Sequence, residues 1–271
     1  GGVQSKGKEV ALFNGVVFAQ GWYPSGTRAN SMGGASVSYS DVWSYYNNPG
    51  ASAEITELSI GAGYENRFLL KELQMQTLAA AIPLKVGVIT VGGHMYGYNK
   101  FRSSKAGLGY SMKLSEMLSA GVQINYQGIR LTENYGSKNT LTGEAGLFCK
   151  VNEKINVGFS IFNLGRTKLS DFEDDRFSTV LKLGGSYLLS EKALIAAEVE
   201  KDLENPIRLK AGVEYLLIDN LYLRGGMATG PTEFSFGLGY HFTQFQIDLG
   251  SSYHQLLGWA PNVSFVFNSK K

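Results

Sequence analysis

Apolar and polar residues alternate along most of this chain from residue 57 onward. Val122 and Ile124 flank Gln123 in one such run, and the same alternation continues on either side. Successive side chains of a β-strand point to opposite faces, so a period of two predicts strands with one apolar and one polar face.

Counting the alternating runs predicts fourteen strands. They cover residues 57–66, 74–83, 85–98, 104–113, 117–128, 140–151, 154–162, 177–189, 192–201, 206–216, 220–228, 232–241, 243–253 and 261–268. The last run places Val263, Phe265 and Phe267 on one face close to the C-terminus, as in the final strand of an exported barrel.

Short polar turns and longer connections alternate between these runs. The short turns are Pro83–Lys85, Lys113–Glu116, Val151–Lys154, Leu189–Lys192, Ile218–Asn220 and Phe242–Thr243. The longer links include Ile129–Asn139, Asn163–Arg176, Lys201–Pro206 and His254–Ala260. This asymmetry and the even strand count are typical of an outer-membrane β-barrel and disfavour the alternative, a soluble β-sandwich.

We therefore predict an all-β fold: a fourteen-stranded antiparallel transmembrane β-barrel with a short N-terminal plug. The short turns and both termini are expected on the periplasmic side. Residues 1–19 are expected to be a signal peptide or N-terminal extension, 20–54 the plug and 55–271 the barrel. An apolar run at 10–18 before Ala19 supports the signal peptide, and the alternative is that this run packs with the plug.

The plug is predicted from composition and from the loss of alternation. Residues 26–51 are rich in Gly, Ser, Asn and Tyr, and Gly33, Gly34, Asn48 and Pro49 are its candidate key residues. A short helix is expected over 42–46, capped by Ser40 and Asp41 and ended by residues 47–49.

The lumen-facing positions predict two different walls. The early strands carry small neutral residues: Ser59, Gly61, Gly63, Gly107, Gly109, Ser111 and Gly121. The later strands carry charged ones: Lys182, Glu198, Glu200, Arg208, Lys210, Glu214, Arg224 and Asp248. Because isolated buried charges are costly, we expect these charges to pair and the plug to fill the small-lined half. The alternative is that the charges line an open, water-filled channel.

Composition and the few reactive side chains exclude several classes of function. A net charge of +2 offers no basic surface for nucleic acid. Cys149 is the only cysteine, which excludes an internal disulfide and a cysteine-built metal site. His94, His241 and His254 lack the spacing of a catalytic or metal site, so we expect no enzyme, metal or cofactor.

Several segments resemble the PorV/PorQ family of FadL-like outer-membrane barrels. They are Gly26–Ala35, Tyr46–Ala51, Asn163–Gly165, Ala196–Lys201, Gly212–Tyr215, Leu223–Gly226, Phe236–Tyr240 and Leu257–Gly258. The resemblance implies a Bacteroidetes-type outer membrane, surrounding outer-membrane lipid, and association with a larger complex such as the type IX secretion machinery.

Two functions follow. The main hypothesis is a non-catalytic partner of protein secretion or outer-membrane assembly. The alternative is a FadL-like conduit for hydrophobic small molecules. The small and charged inward residues favour the first, because a conduit needs an apolar pocket within the lumen.

Overall fold

The fold is a closed barrel, seen in a computed structural model that describes residues 23–131, 136–164, 178–203 and 205–269. Within that part of the chain fourteen antiparallel strands pair in sequence order, and β1 closes the barrel against β14. The strands are β1 (Ser59–Asn66), β2 (Gln74–Pro83), β3 (Val88–Tyr98), β4 (Phe101–Lys113), β5 (Leu118–Leu131), β6 (Ser137–Lys150), β7 (Ile155–Phe162), β8 (Val180–Leu188), β9 (Ala193–Asp202), β10 (Arg208–Ile218), β11 (Leu221–Ala228), β12 (Glu233–Phe242), β13 (Phe245–His254) and β14 (Gly258–Asn268). The predicted fold class is confirmed.

Alternation along each strand separates the two surfaces of the wall. In β12, Glu233 and Ser235 are buried in the lumen, while Phe234 and Phe236 are exposed on the outside. The other strands repeat this pattern, so large apolar side chains cover the outer surface. Such a surface is stable only against lipid, which makes this a transmembrane barrel. Within the described residues, no helix has the length and apolarity to cross a membrane.

All fourteen predicted strands are present, and their ends differ by a few residues. Strand β4 begins at Phe101, earlier than predicted, and β5 extends to Leu131. These extensions pair with each other, Phe101 opposite Leu131. Backbone pairing therefore continues past the point where the side-chain alternation ends.

The two ends of the barrel differ, as the connections predicted. The short turns lie at one end together with the start of β1 and the end of β14, and Asn220 and Thr243 have positive φ there. The opposite end carries the longest loops, but it also has a two-residue turn, Asn99–Lys100, between β3 and β4. Residues 132–135 and 165–177 of the long predicted links, and the expected signal segment at 1–19, lie outside the described residues.

An N-terminal plug fills the lumen. It contains two short helices, α1 (Thr27–Ser31) and α2 (Ser44–Asn47), and a 3₁₀ helix over Pro49–Glu54. Helix α2 begins two residues later than predicted, because Asp41 accepts a hydrogen bond from the backbone of Trp43 (2.8 Å) in a turn that precedes the helix.

The plug runs from the loop end to the short-turn end. Tyr23 lies against Arg67 at the loop end, and Glu54 pairs with Lys113 and Lys150 at the short-turn end. We expected the N-terminal side of the chain beside the short turns. The first described residue is at the other end, because the plug crosses the whole lumen before it enters β1.

Candidate functional site

The plug and the lumen wall form the candidate site. On the small-lined wall, glycines admit the large rings of the plug. A Cβ atom at Gly61 would lie 2.9 Å from the Trp43 ring, and one at Gly92 would lie 2.8 Å from the Tyr45 ring. The glycines therefore make room for plug side chains, as the pattern of small lumen residues predicted.

Asn48 and Pro49 hold the part of the plug that leads to the short-turn end. The Asn48 amide donates to the carbonyl oxygens of Val37 (2.8 Å) in the plug and Leu147 (3.0 Å) in β6. Its side-chain oxygen accepts from the backbone N–H of Gly50 (3.0 Å), and Pro49 occupies the first position of the 3₁₀ helix. This caps the helix and joins plug to wall.

Gly33 and Gly34 form the turn after α1. Both have positive φ, at 67° and 81°, a conformation that favours glycine. The backbone N–H of Gly33 donates to Ser235 in β12 (2.8 Å). Opposite this turn the wall has Gly212 and Gly226, so plug backbone and wall backbone meet directly.

On the charged wall, carboxylates accept hydrogen bonds from the plug backbone. One oxygen of Glu198 accepts from the N–H groups of Ser36 (3.1 Å) and Val37 (2.9 Å). Lys210 lies 3.1 Å from the other oxygen of Glu198 and also pairs with Glu200. Lys182 is buried in β8, opposite Glu200 in the strand register.

Arg224 is the centre of a second charged group. It contacts Glu214 (2.6 Å) on β10 and Asp248 (2.5 Å) on β13. Glu214 also receives two hydrogen bonds from Arg28 of the plug, each 2.9 Å. Arg28 reaches Asp41 at 3.4 Å as well.

Arg28 was missed at the sequence level, because no strand pattern includes the plug. Lys105 and Glu144 were also missed, and they correct the expectation that the early wall is neutral. They lie in the lumen 3.5 Å apart, and Gln123 donates to Glu144 at 2.7 Å. The alternation of β4 could have found Lys105, since it shares the face of Gly107.

The loop end is closed by aromatic and charged side chains. Phe68, Leu73, Met75 and Tyr96 form a buried cluster. Beside it Glu233 accepts from Arg208 (3.3 Å), so Arg208 belongs to this mouth and not to the central charges. Leucines of the adjoining loops stay exposed: Leu69 by 64%, Leu70 by 41% and Leu256 by 80%.

The short-turn end is more open. Two cavities, of about 420 Å³ and about 370 Å³, lie beside the segment that joins the plug to β1. Ile55 and Thr56 line both of them. The described lumen is therefore closed at the loop end and hollow at the short-turn end.

The three histidines have structural contacts. His241 stacks on Tyr222 with centroids 4.4 Å apart, and His254 accepts from the backbone N–H of Leu256 (3.1 Å). His94 is buried near Tyr46. Among the described residues no three His, Cys, Asp or Glu side chains come together as metal ligands.

Sequence comparisons give no match, either with protein-family profiles or with curated proteins. Solved structures do match. The toluene transporter TodX of Pseudomonas putida superposes with a TM-score of 0.70 at 14% identity, covering 92% of this chain and 100% of TodX. The toluene transporter TbuX of Ralstonia pickettii gives 0.62 at 12% identity, covering 91% and 98%.

A FadL homologue of Pseudomonas aeruginosa gives a TM-score of 0.58 at 12% identity, with 90% of this chain and 97% of the homologue covered. At these identities the likeness concerns the fold. This chain has the fold of FadL-like barrels, as the resemblance implied.

Proposed function

We propose that this chain is an outer-membrane conduit for small apolar molecules. The proposal is supported by the shared fold with barrels described as toluene transporters and a FadL homologue. The observation that carries it is the loop end, where exposed leucines adjoin a buried aromatic cluster.

An apolar solute would first leave water at these leucines. Transfer of apolar surface from water is favourable by about 25 cal/mol per Å². Leu69 and Leu70 belong to the same short loop as Phe68, whose side chain packs into the mouth. A solute on the leucines therefore lies beside the aromatic cluster that closes the lumen.

A solute can cross the lumen only if part of the plug moves. The cavities at the short-turn end would receive a solute that has passed the plug. Ion pairs of Arg28 hold the plug near β10, while the rings and hydroxyl groups of Tyr45 and Tyr46 hold it near β2 and β3. We place the route along β1 to β3, where these contacts are weaker than the ion pairs.

Uptake by whole cells tests the function. Cells that carry the chain in an intact outer membrane should take up labelled toluene several-fold faster than cells without it. Changing Leu69 and Leu70 to Ser should remove most of this gain, because the loop end then loses apolar surface. Leu114→Ser is the matched control, since Leu114 is an exposed leucine at the opposite end.

Equal uptake with and without the chain, at matched expression, would exclude the conduit. Equal losses from the Leu69/Leu70 pair and from Leu114→Ser would exclude capture at the loop end.

A role in protein secretion is the second candidate, and the ion-paired plug favours it. A lumen that the plug closes at the loop end suits a barrel that works through its outer surface. The PorV/PorQ-like motifs point the same way and imply a larger outer-membrane complex of the type IX secretion kind in a Bacteroidetes-type cell. Native purification from membranes separates the two: a large stable partner supports secretion, and its absence with toluene uptake supports the conduit.

A further inference from the structure

We propose that the wall between β2 and β4 contains a binding slot for a phenolic ring, occupied in the closed state by Tyr45 of the plug. The inference rests on the proposed conduit only in taking such rings as transported solutes. Its binding test is independent of transport.

The part of the wall that faces the Tyr45 ring consists of glycine backbone. Gly92 in β3 and Gly107 in β4 stand opposite each other in the strand register. The Tyr45 ring lies over them, and a Cβ atom at Gly92 would approach the ring to 2.8 Å. Tyr45 is completely buried. The wall is thus shaped for a planar ring and has no room for a side chain of its own.

The slot also recognises the hydroxyl group. Tyr45 donates to the carbonyl oxygen of Gly92 (3.1 Å), and the neighbouring Tyr46 donates to that of Leu78 (3.0 Å). The tyrosine hydroxyl is a protonated donor at neutral pH, since a phenol has a pKa of about 10. A backbone carbonyl accepts a hydrogen bond from any phenol that reaches the same position.

A cation and a second ring complete the surroundings. The Lys105 ammonium lies 5.3 Å from the centroids of both tyrosine rings, within the range of a cation–π contact. Tyr46 meets Tyr45 edge-to-face, with centroids 4.6 Å apart. A free phenol in this position would lie over the same two glycines, donate to the same carbonyl oxygen, and contact the same lysine and the same ring edge.

A ligand for this slot competes with the plug. A phenol that binds only when Tyr45 has left shifts the population toward a loosened α2. The solute would thereby free the segment that closes the lumen. A hydrocarbon of the same size lacks the donor and competes less well.

Truncation of Tyr45 tests the slot directly. Tyr45→Ala in detergent should bind phenol about tenfold more tightly than toluene, the factor expected of one hydrogen bond. An ordinary apolar cavity gives the opposite order, because phenol loses more hydration than toluene. Titration calorimetry measures both ligands.

Tyr39→Ala is the matched control. Tyr39 is a buried plug tyrosine whose hydroxyl has no partner among the described residues and whose ring stacks on Arg28. Its vacated site should show no preference for phenol. If Tyr45→Ala does not fold alone, the refolding yield with phenol against toluene measures the same preference.

Toluene binding to Tyr45→Ala as well as phenol, no binding of either, or the same phenol preference in Tyr39→Ala would overturn the slot. Phenol binding without toluene uptake by cells would leave the slot standing and remove the proposed conduit. Toluene uptake by cells, without a preference of Tyr45→Ala for phenol, would support the conduit and exclude the slot.

In the intact protein, phenol should raise the bilayer conductance several-fold, and toluene at equal concentration should not. Equal effects of the two solutes would show that the slot does not gate the plug.

Discussion

Several buried charges in the described part of the lumen form groups that join different strands and the plug. Glu214 shows the principle, since it joins Arg224 of the wall and Arg28 of the plug. Removing one member leaves the others as unpaired charges in a site with little water, which costs more than the pair itself contributes.

Replacement of Arg224 tests this at a single residue. Arg224→Met should lower the unfolding free energy by about 3 kcal/mol, because Glu214 and Asp248 lose their shared cation. The measurement is the temperature at which the folded form is lost on heat-modifiability gels. Arg102→Met, at an exposed arginine of β4, is the control and should leave that temperature unchanged. An unchanged temperature for Arg224→Met would mean that water screens these charges.

At the scale of the elements, the plug occupies the lumen, and we expect it to decide whether the barrel conducts. It has little regular structure, and the wall stabilises it through the Arg28 ion pair and through three hydrogen-bonding side chains. Glu198 and Ser235 accept from backbone N–H groups of the plug, and Ser186 donates to the carbonyl oxygen of Ser38. Each short helix alone would be unstable in water, since it contains about one turn. The barrel therefore shapes the plug.

Deletion of residues 31–47 should open a steady ion channel in planar bilayers, while the intact protein should conduct little. The deletion removes α2 and the turn at Gly33 and leaves the strands intact. His241→Ala is the control, because His241 belongs to the wall, where it stacks on Tyr222 beside the short-turn cavity, and is not part of the plug. Porin-like conductance of the intact protein would contradict the closure.

A bulky residue at a glycine that faces the plug should also open the channel, but less than the deletion does. Gly121→Leu places a side chain where Pro49 and Gly50 lie against β5. The expected result is partial conductance between the intact protein and the deletion variant. Gly225→Leu, on the outer side of β11 where an added Cβ would meet no atom closer than 3.8 Å, should remain closed.

At the scale of the whole molecule, the connections between strands are all short at one end of the barrel and vary in length at the other. The six short turns that the sequence predicted all lie at the end where β1 begins and β14 stops, while the opposite end carries the longest connections and also the two-residue turn Asn99–Lys100. In outer-membrane barrels short turns face the periplasm and longer loops face outward, which predicts the orientation here.

Surface labelling checks that orientation. With Cys149 changed to Ser, a single cysteine at Lys138 should react with an impermeant reagent on intact cells. A cysteine at Glu153 should react only after the outer membrane is opened, because Glu153 lies in a short turn. Labelling at Glu153 on intact cells would reverse the orientation. The second outward position considered, Asp174, lies outside the described residues.

The sequence by itself determined the strand count, the inward and outward faces and the inward position of the charged residues in β8 to β13, because the period of two is a local property of each strand. Tertiary structure alone decided which charges meet, since Arg28 and Glu214 are 186 positions apart. It also decided the direction of the plug, which no periodicity encodes. The slot around Tyr45 belongs with these long-range features: its glycines, carbonyl and lysine converge only when the wall curves around the plug.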